Sequence, residues 1–312
     1  MSLSRTKVAI AGCGAVGSTL AFNLAHGHVC DEIMLIDINK PKAAADALDI
    51  AHSLGYSPYR VRVYDGDYSM CGDADAVVLA LSAAYSGTSR EDMLASTGTV
   101  ISTVVPEIMK SGFNGIFIVI TNPVDTVTYM VKRLSGLPSS RVIGTGTCLN
   151  SARLRYCIAD RLKTDVRNID AFFLGEHGPS QFVPWSCVKA DGVEAERLLG
   201  REDMTLIERT VTEIKSNLGA AKGAAVFGIA AVTARIVRAA LCDGSIVMPV
   251  SVSLDGRYGF DDVCIGVPAY IGSGGIGQVP EYSLTDEERQ KLQITVSEVS
   301  RASEKIRHLI PN

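Results

Sequence analysis

The chain has 312 residues, is 47% hydrophobic and 21% charged, and carries a formal net charge of -4. That profile suits a globular protein of one large domain or two ordinary ones, and so weak an acidic balance gives no electrostatic footprint for nucleic acid or an anionic membrane. No apolar run approaches the roughly 20 residues that span a bilayer, and the eight cysteines are scattered with no Cys-x-x-Cys pair, so they read as reduced thiols with no metal site. Residues 1–7 show no secretory h-region, and the expected location is the cytoplasm.

Residues 7–11 (KVAIA) form a short apolar run that reads as a buried strand. Gly12, Gly14 and Gly17 follow in a GxGxxG, and an amphipathic helical pattern continues to Leu24. A second run at 33–36 ends in Asp37, twenty residues after Gly17. Strand, glycine turn, helix, strand and acid in that order are the dinucleotide-binding fingerprint. Gly12 permits the tight turn, Gly14 admits the pyrophosphate, and Gly17 lets helix and strand pack closely, with the helix N-terminus facing the phosphates. Asp37 accepts hydrogen bonds from the adenosine ribose and repels a 2′-phosphate, so the expected cofactor is NAD and not NADP.

Residues 76–81 and 115–120 are further buried-strand candidates, the second leading into Thr121, Asn122, Pro123, Val124 and Asp125. Polar groups at the carboxyl ends of parallel strands line the ligand crevice of such folds, which places Asn122 beside nicotinamide, ribose or substrate. Downstream, His177 is one of five histidines and lies between Gly175 and Gly178 in the stretch LGEHGPSQ at 174–181. An imidazole gives and takes a proton near neutral pH. In a glycine-flanked turn it is a candidate acid/base, as alcohol oxidation by hydride transfer requires.

From about residue 146 the pattern mixes helices with alternating strands. Residues 220–241, rich in alanine, read as one long buried helix; 245–252 read as a strand of an antiparallel sheet. Thr285 to Glu288 form a capping box opening a terminal helix with an apolar stripe at Leu292, Val296 and Val299. The expected fold is α/β: a Rossmann-type doubly wound parallel sheet over 1–145, followed by an α+β catalytic domain over 146–312.

The fingerprint, TNPVD at 121–125, VIGTGT at 142–147, LNSAR at 149–153, GEHG at 175–178, GRYG at 256–259 and IGVP at 265–268 together resemble the L-lactate and malate dehydrogenase superfamily. Within it the chain is similar to lactate dehydrogenases and, through Gly178, Ser180, Gln181 and Phe182, to L-2-hydroxyisocaproate dehydrogenases. The resemblance implies an NAD-dependent L-2-hydroxy acid dehydrogenase, a homodimer or homotetramer. Arg153 matches the residue that grips the substrate carboxylate, and His177 the one that exchanges the proton. Arg90, in the matching substrate loop, corresponds to the arginine that polarises the carbonyl as the loop excludes water. Val16, Asp37, Lys42 and Tyr68 fall on cofactor-contact positions.

The chain departs from that pattern at four places. Asn150 stands where the family has an acid that accepts the proton on the far imidazole nitrogen; an amide carries no charge, so His177 is expected to be a weaker base. The substrate-specificity position falls at Tyr85, or Ser86 if the one-residue gap lies elsewhere. Malate dehydrogenases have an arginine there, and a second carboxylate would go unpaired here. Ala225 replaces a usual threonine and makes room for a larger substituent on C3. Arg155 matches a sugar-bisphosphate-binding arginine, but Asp170 replaces its histidine partner, so no such activation is expected. The alternatives are a catalytically impaired NAD-binding member, a sensor or scaffold, on account of Asn150, or a malate dehydrogenase.

Overall fold

The computed structural model describes residues 5–83, 90–242 and 244–310, with the side chains of Arg90 and Lys215 outside the description. The first half alternates strand and helix: β1 (Lys7–Ala11), α1 (Ala15–His26), β2 (Glu32–Ile36), α2 (Lys40–Ser53), β3 (Arg62–Asp65), β4 (Ala76–Leu79), α3 (Arg90–Lys110), β5 (Ile116–Val119), α4 (Val124–Ser135) and β6 (Val142–Gly144). The second half runs α5 (Cys148–Leu162), β7 (Ile169–Asp170), β8 (Lys189–Ala190), β9 (Val193–Glu194), α6 (Arg201–Lys222), α7 (Val226–Leu241), β10 (Ile246–Ser253), β11 (Cys264–Gly272), β12 (Gly275–Ile276) and α8 (Asp286–Ile306).

The strand order β3-β2-β1-β4-β5-β6 is parallel throughout. It reverses between β1 and β4, and the crevice outside the carboxyl ends of those strands is where such sheets take ligands. All five residues of β1 are buried, as a strand covered on both faces must be. Val8 and Ile10 pack in one cluster with Leu20 and Leu24 of α1, whereas Ala9 and Ala11 share the opposite one with Ile101, Val105 and Ile108 of α3.

The strand expected over 245–252 forms as β10 and pairs antiparallel with β11. Together with β12 these strands do not stand apart as a sheet of their own. They extend the parallel one, with Ser251 of β10 paired antiparallel to Gly144 of β6. The second sheet among the described residues is the small β7-β8-β9 unit. The expected helix at 220–241 is broken: α6 stops at Lys222, Gly223 follows at φ +78, and α7 starts at Val226. A positive φ of this kind suits glycine and ends a helix. The break turns Ala224 and Ala225 toward the interior cavity described below.

The capping box forms as expected: the Thr285 hydroxyl accepts from the Glu288 amide at 3.3 Å and the Glu288 carboxylate from the Thr285 amide at 2.9 Å. The same carboxylate accepts from the Ser186 hydroxyl at 2.6 Å and the Ser186 amide at 3.2 Å, tying α8 to the segment that precedes β8. Leu292, Val296 and Val299 are buried beneath it.

Burial alone would raise the Glu288 carboxyl, but the Ser186 and Thr285 donors outweigh it and the net shift is downward. Glu288→Gln keeps the shape and loses the charge, and should unfold more easily near neutral pH by about 1–2 kcal/mol. A carboxyl depressed in the fold adds stability above its unfolded value of about 4.3 and loses it as pH falls through the lower folded value. Thermal scans should therefore show the gap between variant and wild type narrowing below about pH 4. A gap of constant size would assign the effect to shape and not to charge.

Candidate functional site

Two adjoining cavities open at the carboxyl ends of the parallel strands. The first, about 390 Å³, is lined by Gly14, Ala15 and Val16 of the glycine turn, by residues 80–83 after β4, and by Thr121 and Asn122 after β5. The second, about 330 Å³, is lined by Val16, Asn122, Leu149, Arg153, His177 and Ala225, among others. Val16, Ile120 and Asn122 line both, so a ligand laid along the glycine turn would reach the imidazole and the guanidinium. Asn122 is exposed toward the cavities.

The glycine turn fits a dinucleotide by its open space. Gly12 has φ +102, and a Cβ there would lie 2.4 Å from the Ala80 carbonyl oxygen. A Cβ on Gly17 would lie 1.9 Å from the Gly12 oxygen. On Gly14 it would meet nothing within 4 Å and would project into the cradle itself. Gly14 is also the N-cap of α1 and brings no side-chain cap, which leaves the helix N-terminus to an anion. Asp37, one residue past β2, accepts from the Cys13 amide at 2.7 Å with one oxygen and from the Asn39 amide at 2.8 Å with the other. Each oxygen keeps a lone pair for a ribose hydroxyl.

Tyr68 is half-buried; burial pushes its phenol up and the Asp37 carboxylate adds to the shift. Lys42 lies in the first turn of α2. Its ammonium pairs with Asp46 at 2.5 Å, and Asp46 also accepts from Ser18 at 2.6 Å. Burial pushes the Cys13 thiol under the turn up to about 12, which makes it a poor nucleophile.

His177 is carried by a loop closed at its base: the amides of Leu174 and Phe182 donate to each other's carbonyls at 2.9 and 3.1 Å. Within it the His177 amide donates to Asp125 at 2.6 Å, and the Glu176 amide to the Thr295 hydroxyl at 2.8 Å. Asp125, in the first turn of α4, is only 2% exposed. A buried carboxylate thus holds the backbone of the candidate acid/base, a role the sequence reading missed although Asp125 closes a motif it quotes.

Arg153 and Asn150 lie three apart on α5, on one helix face. Asn150 is 1% exposed. Its oxygen accepts from Arg153 Nη1 at 2.9 Å and its nitrogen donates to Gln181 Oε1 at 2.8 Å. These two bonds engage both ends of the amide. Among the described residues no carboxylate pairs with Arg153; burial alone pulls its pKa below the ordinary value. A half-buried cation without a counter-ion gains from binding an anion.

Tyr85 and Ser86 lie outside the described residues, and Arg90 is described only as the first backbone residue of α3. Arg155 donates to the Ala171 carbonyl at 3.1 Å and sits 3.6 Å from Asp170, so Asp170 competes with any phosphate for that guanidinium. No group of three or more His, Cys, Asp or Glu side chains with metal-holding geometry occurs among the described residues.

Two family models match: the lactate/malate dehydrogenase NAD-binding domain over residues 6–144 and the lactate/malate dehydrogenase alpha/beta C-terminal domain over 147–310. An L-lactate dehydrogenase of Halalkalibacterium halodurans is 41% identical over 291 residues, 93% of this chain and 94% of the relative. L-lactate dehydrogenase 1 of Enterococcus faecalis is 40% identical over 96% of this chain and 93% of its own length. The ligand-bound crystal structure of a minor L-lactate dehydrogenase from Enterococcus mundtii superposes with a TM-score of 0.93 at 36% identity, over 96% of this chain and 98% of that one.

The glycine geometry separates binding from folding. Gly14 has φ -69 and ψ -179, which any L-residue can adopt. Gly14→Val is expected to stay within about 0.5 kcal/mol of wild-type stability while weakening NADH, followed by its fluorescence, by more than about tenfold. Gly17→Ala drives a Cβ into backbone and should destabilise the fold by about 1–3 kcal/mol. A Gly14→Val protein that binds NADH like the wild type would remove the cradle from this turn.

Proposed function

This chain belongs to the lactate/malate dehydrogenase family and is an NAD-dependent, L-lactate-like 2-hydroxy acid dehydrogenase, and we propose that Arg153, His177 and Asn122 form its reaction centre. NAD supplies the hydride acceptor for C2 of the hydroxy acid, and its reduced form the donor in reverse. Arg153 anchors the substrate carboxylate. That assignment rests on a single observation: a half-buried guanidinium with no carboxylate partner among the described residues faces the cavity that also holds the imidazole. His177 takes the hydroxyl proton in oxidation and returns it in reduction, its backbone held by Asp125. Asn122 sits where both cavities meet and orients the groups between them.

Gly12, Gly14, Val16 and Gly17 shape the dinucleotide cradle, Asp37 takes the ribose, and Tyr68 lies beside that acid. Lys42 reaches the cofactor only by sharing its charge with Asp46. Arg90 is assigned to the carbonyl, and Tyr85 to the substrate side chain, on resemblance alone. The boundary between cofactor and substrate domains falls at 145/146, between the end of β6 and the start of α5.

The substrate is a 2-oxo monocarboxylate bulkier than pyruvate or equal to it. One wall of the second cavity is made of Gly219, Gly223, Ala224 and Ala225, which leaves room beyond C3. Arg153 is the sole permanent cation among the described lining residues, so a second carboxylate would be desolvated without a partner. The relatives are L-lactate dehydrogenases, which favours neither malate nor an impaired binder. A homodimer or homotetramer is carried over from the resemblance alone. No single described helix is long and apolar enough to cross a membrane, and unpaired cysteines suit the cytoplasm.

NADH oxidation followed by absorbance tests this directly. Pyruvate, 2-oxoisocaproate and phenylpyruvate should turn over, with oxaloacetate at least about tenfold lower in kcat/KM. Arg153→Leu should lower kcat/KM by about two to three orders of magnitude, the cost of leaving a carboxylate unpaired. Ala225→Thr should narrow the range toward pyruvate. Equal turnover of oxaloacetate, or an Arg153→Leu enzyme as active as the wild type, would contradict the assignment.

A further inference from the structure

We propose that Gln181 is the positioning residue of the carboxylate clamp: by holding the amide nitrogen of Asn150 it keeps that amide's oxygen on Arg153 and so aims the guanidinium. The inference rests on the assignment of Arg153 as the clamp.

An asparagine amide is nearly symmetric in shape and opposite in polarity at its two ends. Asn150 is 1% exposed, so both ends must find partners inside the protein. With its oxygen toward Arg153 Nη1, at 2.9 Å, the amide accepts a charge-assisted bond. Flipped, it would point N–H groups at N–H groups, because a guanidinium has no acceptor. The donor-only guanidinium excludes the flipped state, and Gln181 anchors the other end: its Oε1 lies 2.8 Å from Asn150 Nδ2 and accepts from it. Held at both ends, the amide keeps its oxygen where it meets Arg153.

The arrangement joins two parts of the site. Gln181 lies on the loop that carries His177, at the base clamped by Leu174 and Phe182. Asn150 and Arg153 lie on α5. One loop therefore delivers the imidazole and fixes the amide that steers the guanidinium, so clamp and acid/base keep their register as a unit. The chain from Gln181 through Asn150 is also neutral, so it orients the cation without forming an ion pair with it.

The test uses the full chain and steady-state kinetics with NADH and the best 2-oxo acid. Gln181→Met removes the acceptor at similar volume; Gln181→Glu keeps an acceptor for Asn150 Nδ2. Expected for Gln181→Met is a KM for the acid raised about tenfold, the loss of one oriented hydrogen bond. Its kcat should stay within about threefold and its NADH affinity should not change. Gln181→Glu should restore KM to within about threefold of wild type. If Gln181→Met does not fold, Gln181→Ser reads the same loss. A wild-type KM in the acceptor-less variant, equal impairment of the Glu variant, or a loss carried by kcat alone would overturn the proposal. Should the wild type turn over no 2-oxo acid, the functional reading fails by itself. The Gln181 inference is then read from equilibrium binding of oxamate, an unreactive carboxylate shaped like pyruvate, to the NADH complex. An unchanged affinity in Gln181→Met would overturn it there too.

Discussion

The charge on Arg153 is the constraint around which the site is arranged. A guanidinium taken halfway out of water, with no carboxylate beside it among the described residues, carries a desolvation cost that an incoming anion relieves. That cation suits a ligand that brings a carboxylate. The cation's neighbour at position 150 is neutral: the Asn150 oxygen accepts from the guanidinium at 2.9 Å and aligns it.

The fold turns that local chemistry into a reaction geometry. The sheet reverses its winding between β1 and β4, and the glycine turn after β1 opens into the first cavity. β5 and β6 continue the sheet toward the substrate side, where Asn122 and residues 145–146 follow their carboxyl ends. The antiparallel strands then lock onto the same sheet through Ser251 and Gly144. Because β10 is fused to β6, and the His177 loop is bonded to β11 through Gly175 and Gly266, the imidazole is held relative to the cofactor turn by sheet hydrogen bonds. Precision of this kind comes from rigid elements and not from the loop itself.

What could be read along the chain follows the range of the interactions involved. Gly12, Gly14, Gly17 and Asp37 were legible because a turn, a helix start and the next strand fall within one short unit with fixed spacing. The capping box at Thr285 and Glu288 was legible for the same reason, but the Ser186 donors that complete it were not. Arg153 and His177 were legible as residue types in quoted motifs. Their partners were hidden: Asp125 meets the His177 amide across 52 positions, and Gln181 meets Asn150 across 31. Residue identity alone does not say which way an amide points, so the partners of Asn150, which are Arg153 and Gln181, could not be read from its place in the motif. The break at Gly223 was misread because alanine-rich sequence on both sides favours helix, while the backbone turn that overrides it depends on closing the cavity wall.

Asn150 separates two duties that a single carboxylate would combine. An acid at that position would stabilise the imidazolium and would also attract Arg153, three residues along the same helix. With an amide there, His177 is held by its backbone, whose amide donates to the buried Asp125 carboxylate at 2.6 Å. The Asn150 side chain gives up the first of the two duties: its oxygen accepts from Arg153 and its nitrogen donates to Gln181, so residue 150 links α5 to the loop that carries the imidazole.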